Sequence, residues 1–167
     1  AKRFGSYSIR PLSMPYIAGG SLKERPATRL DWPTWRQCLL EALEGLLALH
    51  QAGLAHLDVK PGNLLVGERG LILSDFSLCR HTPGIPPGGS VDYAAPEALL
   101  GEMVGPEADV YSLGIVAYEM ACGRRPFPTA LPIRTRQVEP LLSRRQELPP
   151  PVAELVHRML ELEPEAL

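Results

Sequence analysis

Three stretches of the chain carry an apolar pattern with a helical period. Between residues 32 and 51 apolar side chains recur every three or four positions, which predicts an amphipathic helix capped by Asp31 and ended by Gly53. Residues 110–122 are apolar around most of a helix circumference, which is typical of a helix buried at the centre of a helical domain. Residues 152–162 follow three prolines and predict a final amphipathic helix.

Strand-like patterns are shorter. Residues 7–17 have the mixed apolar and polar texture of a strand, closed by Gly19 and Gly20. Residues 64–66 and 71–73 are apolar and flank two glycines, which predicts a hairpin. Residues 82–90 are rich in proline and glycine and predict an irregular loop. The predicted fold class is therefore mainly α, with a little strand.

Composition excludes several classes of protein. A chain of 167 residues is one domain with enough material for a hydrophobic core. A net charge of −2 gives no surface for nucleic acid, so we expect no such partner. Three widely spaced cysteines without a Cys-x-x-Cys pair are typical of reduced thiols, and we expect a cytoplasmic protein. No apolar stretch reaches the ~20 residues of a membrane span, so we expect none in this chain.

One short segment concentrates the candidate chemistry. Residues 56–65 read HLDVKPGNLL, and Asp75 follows Asp58 by seventeen residues. Asp58 can orient and deprotonate an attacking hydroxyl, and Lys60 can neutralise charge on a transferred phosphoryl group. Asn63 and Asp75 offer the hard oxygen ligands that Mg²⁺ prefers. A lone aspartate is more often a turn or capping residue, but the four together favour phosphoryl transfer from a magnesium nucleotide.

At these residues the chain resembles the eukaryotic-type serine/threonine protein kinases. The resemblance extends from Met14 to the last helix. Lys60 lies two residues after Asp58, and Ser90 lies where a hydroxyl can bond both, which favours the serine/threonine class over the tyrosine class. Four motifs match in order, namely the catalytic loop at 56–63, the magnesium triplet at 75–77, the end of the activation segment at 95–97, and the start of the central helix at 109–114.

The resemblance implies a set of nucleotide contacts, with ATP and Mg²⁺ as cofactors. Met14 would occupy the gatekeeper position beside the adenine. The backbone of Pro15 and Ile17 would make the hinge hydrogen bonds, for which the proline needs only its carbonyl. Leu22 and Leu65 would sandwich the adenine from below.

The fold implied is the α+β kinase-like fold, with the large lobe only. Residues 1–22 would be the last small-lobe strand and the hinge, and residues 23–167 the helical lobe, with a small hairpin carrying the catalytic and metal loops. A small lobe needs roughly 36 residues before any turns, whereas thirteen precede Met14. Because the chain also begins with alanine, we expect a piece of a longer protein.

Two expectations follow from a missing small lobe. An apolar patch should remain exposed where that lobe would sit, and the missing lobe or a partner would cover it. Its members would be Met14, Leu22, Leu65 and Phe76. The chain alone should bind nucleotide weakly and turn over negligibly, because phosphoryl transfer depends on positioning by both lobes.

The chain also departs from the family pattern. Leu57 stands where the family has an arginine after the loop histidine, and Ser77 replaces the glycine of the magnesium triplet. The arginine expected to pair with Glu97 would fall at Leu167. In the family the histidine matching His56 packs against the aromatic ring of the triplet.

The substrate prediction is weaker. Of the acidic positions that bind arginine in basophilic relatives, Glu119 is present, but Gly62 and Ser21 are not acidic. A strong preference for basic substrates is therefore not expected.

Three functions remain open at this point. The first is a fragment of a serine/threonine protein kinase, which transfers the ATP γ-phosphate to a protein serine or threonine hydroxyl when complete. The second is a pseudokinase-like docking module, which Leu57 and Ser77 favour. The third is a small-molecule phosphotransferase, against which the activation-like segment and residues 95–97 weigh, because those parts hold a protein substrate.

Overall fold

The computed structural model describes residues 3–4, 7–8, 14–25, 29–127 and 137–161. The helices are α1 (Trp32–Gln51), α2 (Pro96–Leu100), α3 (Glu107–Cys122), α4 (Leu141–Arg144) and α5 (Pro150–Met159). The strands are β1 (Arg3–Phe4), β2 (Tyr7–Ser8), β3 (Leu54–Ala55), β4 (Leu64–Gly67), β5 (Gly70–Leu73) and β6 (Arg80–His81). The mainly α prediction is confirmed.

Helix α1 forms as its sequence pattern predicts. The Asp31 carboxylate accepts a hydrogen bond from the Thr34 N–H at 2.8 Å, which confirms the predicted cap. The buried face consists of Trp35, Leu39, Ala42 and Leu46. The helix ends at Gln51, and Gly53 follows with a φ of 72°, a conformation that glycine adopts without strain.

Helix α3 is the centre of the core, as its apolar circumference predicts. It packs against α1 and α5, and the Trp35 indole N–H of α1 donates to the Ala117 carbonyl at 2.8 Å. Gly114 allows close approach of α5, since a β-carbon at that position would lie 2.9 Å from the Cβ of Met159. Helix α3 therefore supports, through its packing, the loops that come before it in the chain.

The strands form three small antiparallel pairs in the described part of the chain. The hairpin of β4 and β5 is confirmed, with Leu64 opposite Leu73. Strand β3 pairs with β6 and β1 pairs with β2, neither of which was predicted. The loop over residues 82–90 carries only an isolated bridge at Gly84, so its irregular character is confirmed.

Three predicted boundaries are wrong, and the first is the start of α3, which begins at Glu107 rather than at residue 110. Residues 14–17 are not in a strand, because the Ile17 carbonyl accepts a turn bond from the Gly20 N–H at 3.4 Å and Pro15 has no N–H to donate. Tyr7–Ser8 of the predicted strand form β2, and residues 9–13 lie outside the described part of the chain. The last helix begins two residues early, since proline fits a first helical turn, and residues 160–161 are not helical. Leu162 lies outside the described residues.

No helix among the described residues is long and apolar enough to cross a membrane.

His157 makes the packing of α4 on α5 sensitive to pH. The Leu141 N–H donates to His157 Nε2 at 2.9 Å, which requires a neutral imidazole, and burial lowers the pKa of His157 from its usual 6.5. The neutral imidazole of His157 stabilises the fold. This stabilisation is fully present above the pKa that His157 has in the unfolded chain, and it is lost as the pH falls through the lowered pKa of the folded chain.

We therefore expect the thermal midpoint of the chain to fall more steeply below about pH 6.5 than that of His157→Gln, which cannot titrate. Calorimetry over this range measures both slopes. His81→Gln, a change at an exposed histidine, serves as the matched control and should follow the unmodified chain. Parallel curves for the unmodified chain and His157→Gln would contradict the assignment.

Candidate active site

The candidate catalytic loop lies between β3 and β4. Leu57 takes a φ of 63°, which turns the chain sharply before Asp58. Pro61 then begins a 3₁₀ turn that ends at Asn63, whose N–H donates to the Lys60 carbonyl at 2.9 Å. The turn folds the loop back on itself, so the side chains of Asp58, Lys60 and Asn63 meet.

Asp58 is the centre of a dense polar cluster. Its Oδ2 accepts from Lys60 Nζ at 2.6 Å and from Asn63 Nδ2 at 2.9 Å. Asn63 Nδ2 also donates to the Asp58 carbonyl at 2.8 Å. Asp58 is 8% exposed. These hydrogen bonds hold the Asp58 carboxylate in one orientation.

Ser90 brings the irregular loop onto this cluster. Its hydroxyl accepts from Lys60 Nζ at 2.8 Å, and its backbone N–H donates to Asp58 Oδ1 at 3.3 Å. The sequence predicted that Ser90 bonds both residues, and the structure shows that its backbone N–H also reaches Asp58. All four predicted catalytic residues, Asp58, Lys60, Asn63 and Ser90, thus lie in one hydrogen-bonded group.

The electrostatics favour an ionised Asp58. Burial opposes its charge, but hydrogen bonds from Lys60, Ser90 and Asn63 outweigh that effect and hold the pKa of Asp58 below its ordinary value. Its Oδ1 receives only the long bond from Ser90 among the described residues, whereas Oδ2 receives two short ones. Oδ1 is therefore the oxygen that can accept a hydrogen bond from an incoming hydroxyl.

Asp75 stands at the start of the 3₁₀ turn Phe76–Leu78. It has a φ of 62° and a ψ of 70°, its carboxylate accepts from the Ser77 N–H at 3.4 Å, and its side chain is exposed. The preceding Ser74 donates to the Asn63 carbonyl through both its N–H, at 2.9 Å, and its hydroxyl, at 3.0 Å. This ties the segment before Asp75 to the catalytic loop.

The donor set of Asn63 and Asp75 suits Mg²⁺. Asn63 donates from its Nδ2 to Asp58, which leaves its Oδ1 for a cation, and the exposed carboxylate of Asp75 is a hard oxygen ligand. Asp75 makes no hydrogen bond to Asn63 in the described part of the chain. Within residues 14–25, 29–127 and 137–161, no three His, Cys, Asp or Glu side chains form a metal-binding group. The magnesium role of these two residues remains a prediction.

Leu22, a predicted nucleotide contact, lies beside the hairpin strand that carries Leu65. Ser21 pairs with Leu65 in an isolated bridge, and the Val66 N–H donates to the Gly20 carbonyl at 2.8 Å, which places Leu22 beside β4. Leu22 and Leu65 are partly buried. The adenine role of both leucines remains a prediction.

Two members of the predicted apolar patch are open to solvent. Met14 is 56% and Phe76 51% exposed, whereas Leu22 and Leu65 are largely covered. Pro15 is exposed, and the Ile17 carbonyl is already engaged by Gly20. The hinge roles of Met14, Pro15 and Ile17 are not tested by this geometry.

His56 packs as the sequence predicts. Its ring lies edge-on to Phe76, with centroids 5.5 Å apart and an interplanar angle of 64°. His56 Nε2 also lies 2.9 Å from the Ser74 carbonyl oxygen. The histidine therefore joins the catalytic loop to the segment that carries Asp75.

Sequence reasoning missed the role of Asp109. This residue of α3 is fully buried, and its carboxylate accepts from the N–H groups of His56 and Leu57, both at 2.7 Å. Its Oδ2 also lies 2.9 Å from His50 Nε2. An aspartate inside an otherwise apolar helix was the signal in the sequence, because a buried carboxylate needs donors. Asp109 is a positioning residue for the catalytic loop.

Glu97 has no ion pair among the described residues. Burial raises the pKa of Glu97, and the nearby Glu107 and Glu102 raise it further. The predicted position of its arginine partner, Leu167, lies outside the described part of the chain.

Comparison with known proteins agrees with this geometry. Residues 4–166 match the family model described as protein kinase domain. A serine/threonine-protein kinase named PknA from Mycobacterium tuberculosis is 39% identical over 125 residues, which cover 69% of this chain and 29% of that protein. A serine/threonine-protein kinase named PknL from the same species is 37% identical over 125 residues, covering 70% of this chain and 31% of that protein.

A protein from Corynebacterium efficiens named as serine/threonine-protein kinases drp72 is 42% identical over 94 residues, or 52% of this chain and 18% of that protein. The matched regions thus span 18% to 31% of the length of these curated relatives. Since the family model covers almost the whole sequence, the chain belongs to the protein kinase family.

Proposed function

We propose that this chain is the large lobe of a serine/threonine protein kinase, which transfers the γ-phosphate of ATP to a serine or threonine hydroxyl of a protein. The single observation that carries the proposal is the cluster in which Asp58 bonds Lys60, Asn63 and Ser90. A segment outside this chain, or a partner, would supply the small lobe and cover Met14 and Phe76.

The proposed reaction uses the two oxygens of Asp58 differently. Oδ1 accepts the hydrogen bond of the substrate hydroxyl and aims its oxygen at the γ-phosphorus. As the new P–O bond forms and the bond to the ADP oxygen breaks, the hydroxyl becomes acidic and its proton passes to Asp58. Oδ2 stays fixed by Lys60 and Asn63, so the carboxylate does not rotate away.

Lys60 is placed to neutralise the transferred group. Its ammonium lies 2.6 Å from Asp58 Oδ2 and 2.8 Å from the Ser90 hydroxyl. Asp58 Oδ1, which would hold the acceptor hydroxyl, belongs to the same carboxylate. Such fixed charge stabilises phosphoryl transfer because the transition state spreads negative charge over the transferred oxygens. Ser90 joins this ammonium to the loop expected to hold the protein substrate.

Asn63 and Asp75 would hold Mg²⁺, and Leu22 and Leu65 would contact the adenine. Bound Mg²⁺ neutralises the phosphate charge during transfer. Asn63 is oriented for this by Asp58, and the Asp75 segment is held by Ser74 and by His56. These residues support the proposal by their chemistry and by their ordered surroundings.

The test uses the natural full-length protein that contains this chain, called the full-length protein below. Incubated with labelled magnesium-ATP and a mixed protein substrate, it should produce phosphoserine or phosphothreonine and no phosphotyrosine, as amino-acid analysis of the product will measure. The 167-residue chain alone should turn over negligibly in the same assay. Binding of a partner protein without any phosphate transfer by the full-length protein would instead favour the docking-module function.

A further inference from the structure

A wide groove runs from the catalytic cluster toward the hinge side of the molecule. Its volume is about 690 Å³, and it is lined by Lys60 and Ser90. It is also lined by Lys23 and Arg25, which follow the segment 14–21. A groove of this kind can hold several residues of an extended peptide whose hydroxyl reaches Asp58.

The charges that line this groove are mostly positive. Four cationic side chains and two carboxylates border it. The cationic residues are Lys23, Arg25, Lys60 and Arg125, and the acidic residues are Asp92 and Glu119. The chain as a whole carries a net charge of −2, so this sign is local to the groove.

The two carboxylates are already engaged. Asp92 forms an ion pair with Arg125 at 2.8 Å, and Glu119 accepts from the Tyr93 hydroxyl at 2.8 Å. Arg125 also lies over the Tyr93 ring, 5.8 Å from its centroid. Glu119, the one acidic position that matched basophilic relatives, therefore already accepts one hydrogen bond inside the groove, from a neutral phenol.

The cations that follow the segment 14–21 differ from these carboxylates. Lys23 and Arg25 are exposed, and neither forms an ion pair with a carboxylate among the described residues. An exposed cation without a partner can meet an acidic side chain of a ligand without first breaking an internal ion pair. Lys23 and Arg25 are thus the side chains available for recognition.

Gly62 brings Lys23 close to the catalytic loop. A β-carbon at Gly62 would lie 3.8 Å from Lys23 Cδ and 3.9 Å from Lys60 Cε. These two side-chain carbons are therefore within about 8 Å of each other, which an extended peptide spans in two to three residues at about 3.3 Å each. In basophilic relatives an acidic residue at the position of Gly62 binds arginine. In this chain the side chain of Lys23 lies beside that position instead.

We propose that this groove selects acceptor peptides with acidic side chains near the serine or threonine, through Lys23, which lies two to three peptide residues from Lys60, and through Arg25, which also lines the groove. The proposal rests on the proposed kinase function, because it takes Asp58 as the site of the acceptor hydroxyl. It goes beyond that function by giving the substrate class: acidic rather than basic protein segments.

Binding of labelled peptides to the full-length protein, measured by fluorescence anisotropy, tests this selection. The peptides share one serine and differ in flanking residues, which are all Glu, all Ala or all Arg, placed on either its N-terminal or its C-terminal side. We expect one of the two Glu peptides to bind about five- to tenfold more tightly than its Ala counterpart, with the preference reduced at high salt. The Arg peptides should bind more weakly than the Ala peptides.

Charge reversal identifies the residues responsible. Lys23→Glu combined with Arg25→Glu should remove the preference for Glu and favour the Arg peptides, and Lys23→Ala should reduce it without reversal. Arg69→Glu, an exposed change in the turn between β4 and β5 and away from the groove, is the matched control and should keep the preference. Equal binding of Glu and Ala peptides, no binding of any peptide, or an unchanged preference in the double variant would overturn the proposal.

Peptide binding, measured together with phosphate transfer by the full-length protein, separates this proposal from the kinase function. If acidic peptides bind selectively but the full-length protein transfers no phosphate to them or to other proteins, the kinase function fails and the recognition by Lys23 and Arg25 stands. If phosphate transfer occurs with no preference for acidic peptides, the kinase function stands and the recognition by Lys23 and Arg25 fails.

Discussion

Asp58→Asn should lower the rate of phosphate transfer by the full-length protein at least about a hundredfold, within the range of 10² to 10⁴ that a lost acid or base group costs. The amide has the shape of the carboxylate, so the loop can keep its course. It cannot accept the hydroxyl proton, and it leaves the Lys60 ammonium, now 2.6 Å from Asp58 Oδ2, without its counter-charge.

Steady-state kinetics with saturating magnesium-ATP measure this effect. The loss should appear in kcat, since Asp58 acts on the reacting hydroxyl rather than on nucleotide binding. Asp31→Asn is the matched control, because asparagine also caps a helix and residue 31 lies at the start of α1, away from the cluster. If Asp58→Asn kept a tenth or more of the activity, Asp58 would not be the catalytic base.

Helices α1, α3 and α5 and the hairpin could be predicted because each has a local signal, whereas the short helices α2 and α4 were not predicted. The cap at Asp31, the apolar period of α1 and the uniform apolar surface of α3 are all properties of neighbouring residues. The strand predicted through residues 14–17 failed because a short mixed pattern is weak evidence, and the turn bond from Gly20 to Ile17 decided the conformation. Pairing of β3 with β6 joins residues far apart in sequence, which no local pattern encodes.

The catalytic cluster could be predicted from the spacing of Asp58, Lys60 and Asn63, since three residues within one tight turn must lie close together. The predicted contact of Ser90 with them is confirmed, although the sequence could not show that its backbone reaches Asp58. The position of Asp75 relative to Asn63 depends on the course of the backbone between them, which forms the β4–β5 hairpin. Its position was therefore less determined by the sequence than that of the other site residues.

Asp109 shows what local reasoning leaves out. Its partners, His56 and Leu57, precede it by about fifty residues, so only the folded chain brings them to its carboxylate. Leu57 has a φ of 63°, a conformation that costs a side-chain-bearing residue about 1–3 kcal/mol and persists only when its surroundings enforce it. The bond from the Leu57 N–H to Asp109 Oδ1 is one such constraint.

Asp109→Asn should therefore destabilise the chain by about 3 kcal/mol, which is the scale of a buried donor left without its charged acceptor. Asparagine keeps one oxygen, but its amide nitrogen would face the N–H of His56 or of Leu57, and that donor would lose its acceptor. For a chain of this length the thermal midpoint should fall by about 6–12 °C. Urea unfolding followed by circular dichroism measures the free energy directly.

Ser112→Ala is the matched control for this change. Ser112 is a buried polar residue of the same helix, but its hydroxyl donates only within α3, to the Ala108 carbonyl at 2.9 Å. Its loss should cost about 1 kcal/mol or less, because that carbonyl also serves the helix. A cost below about 1 kcal/mol for Asp109→Asn would mean that the loop does not depend on this carboxylate. A large cost for Asp109→Asn alone would instead show that the catalytic loop is held from the core, because the carboxylate that binds His56 and Leu57, the two residues before Asp58, belongs to the most deeply buried helix.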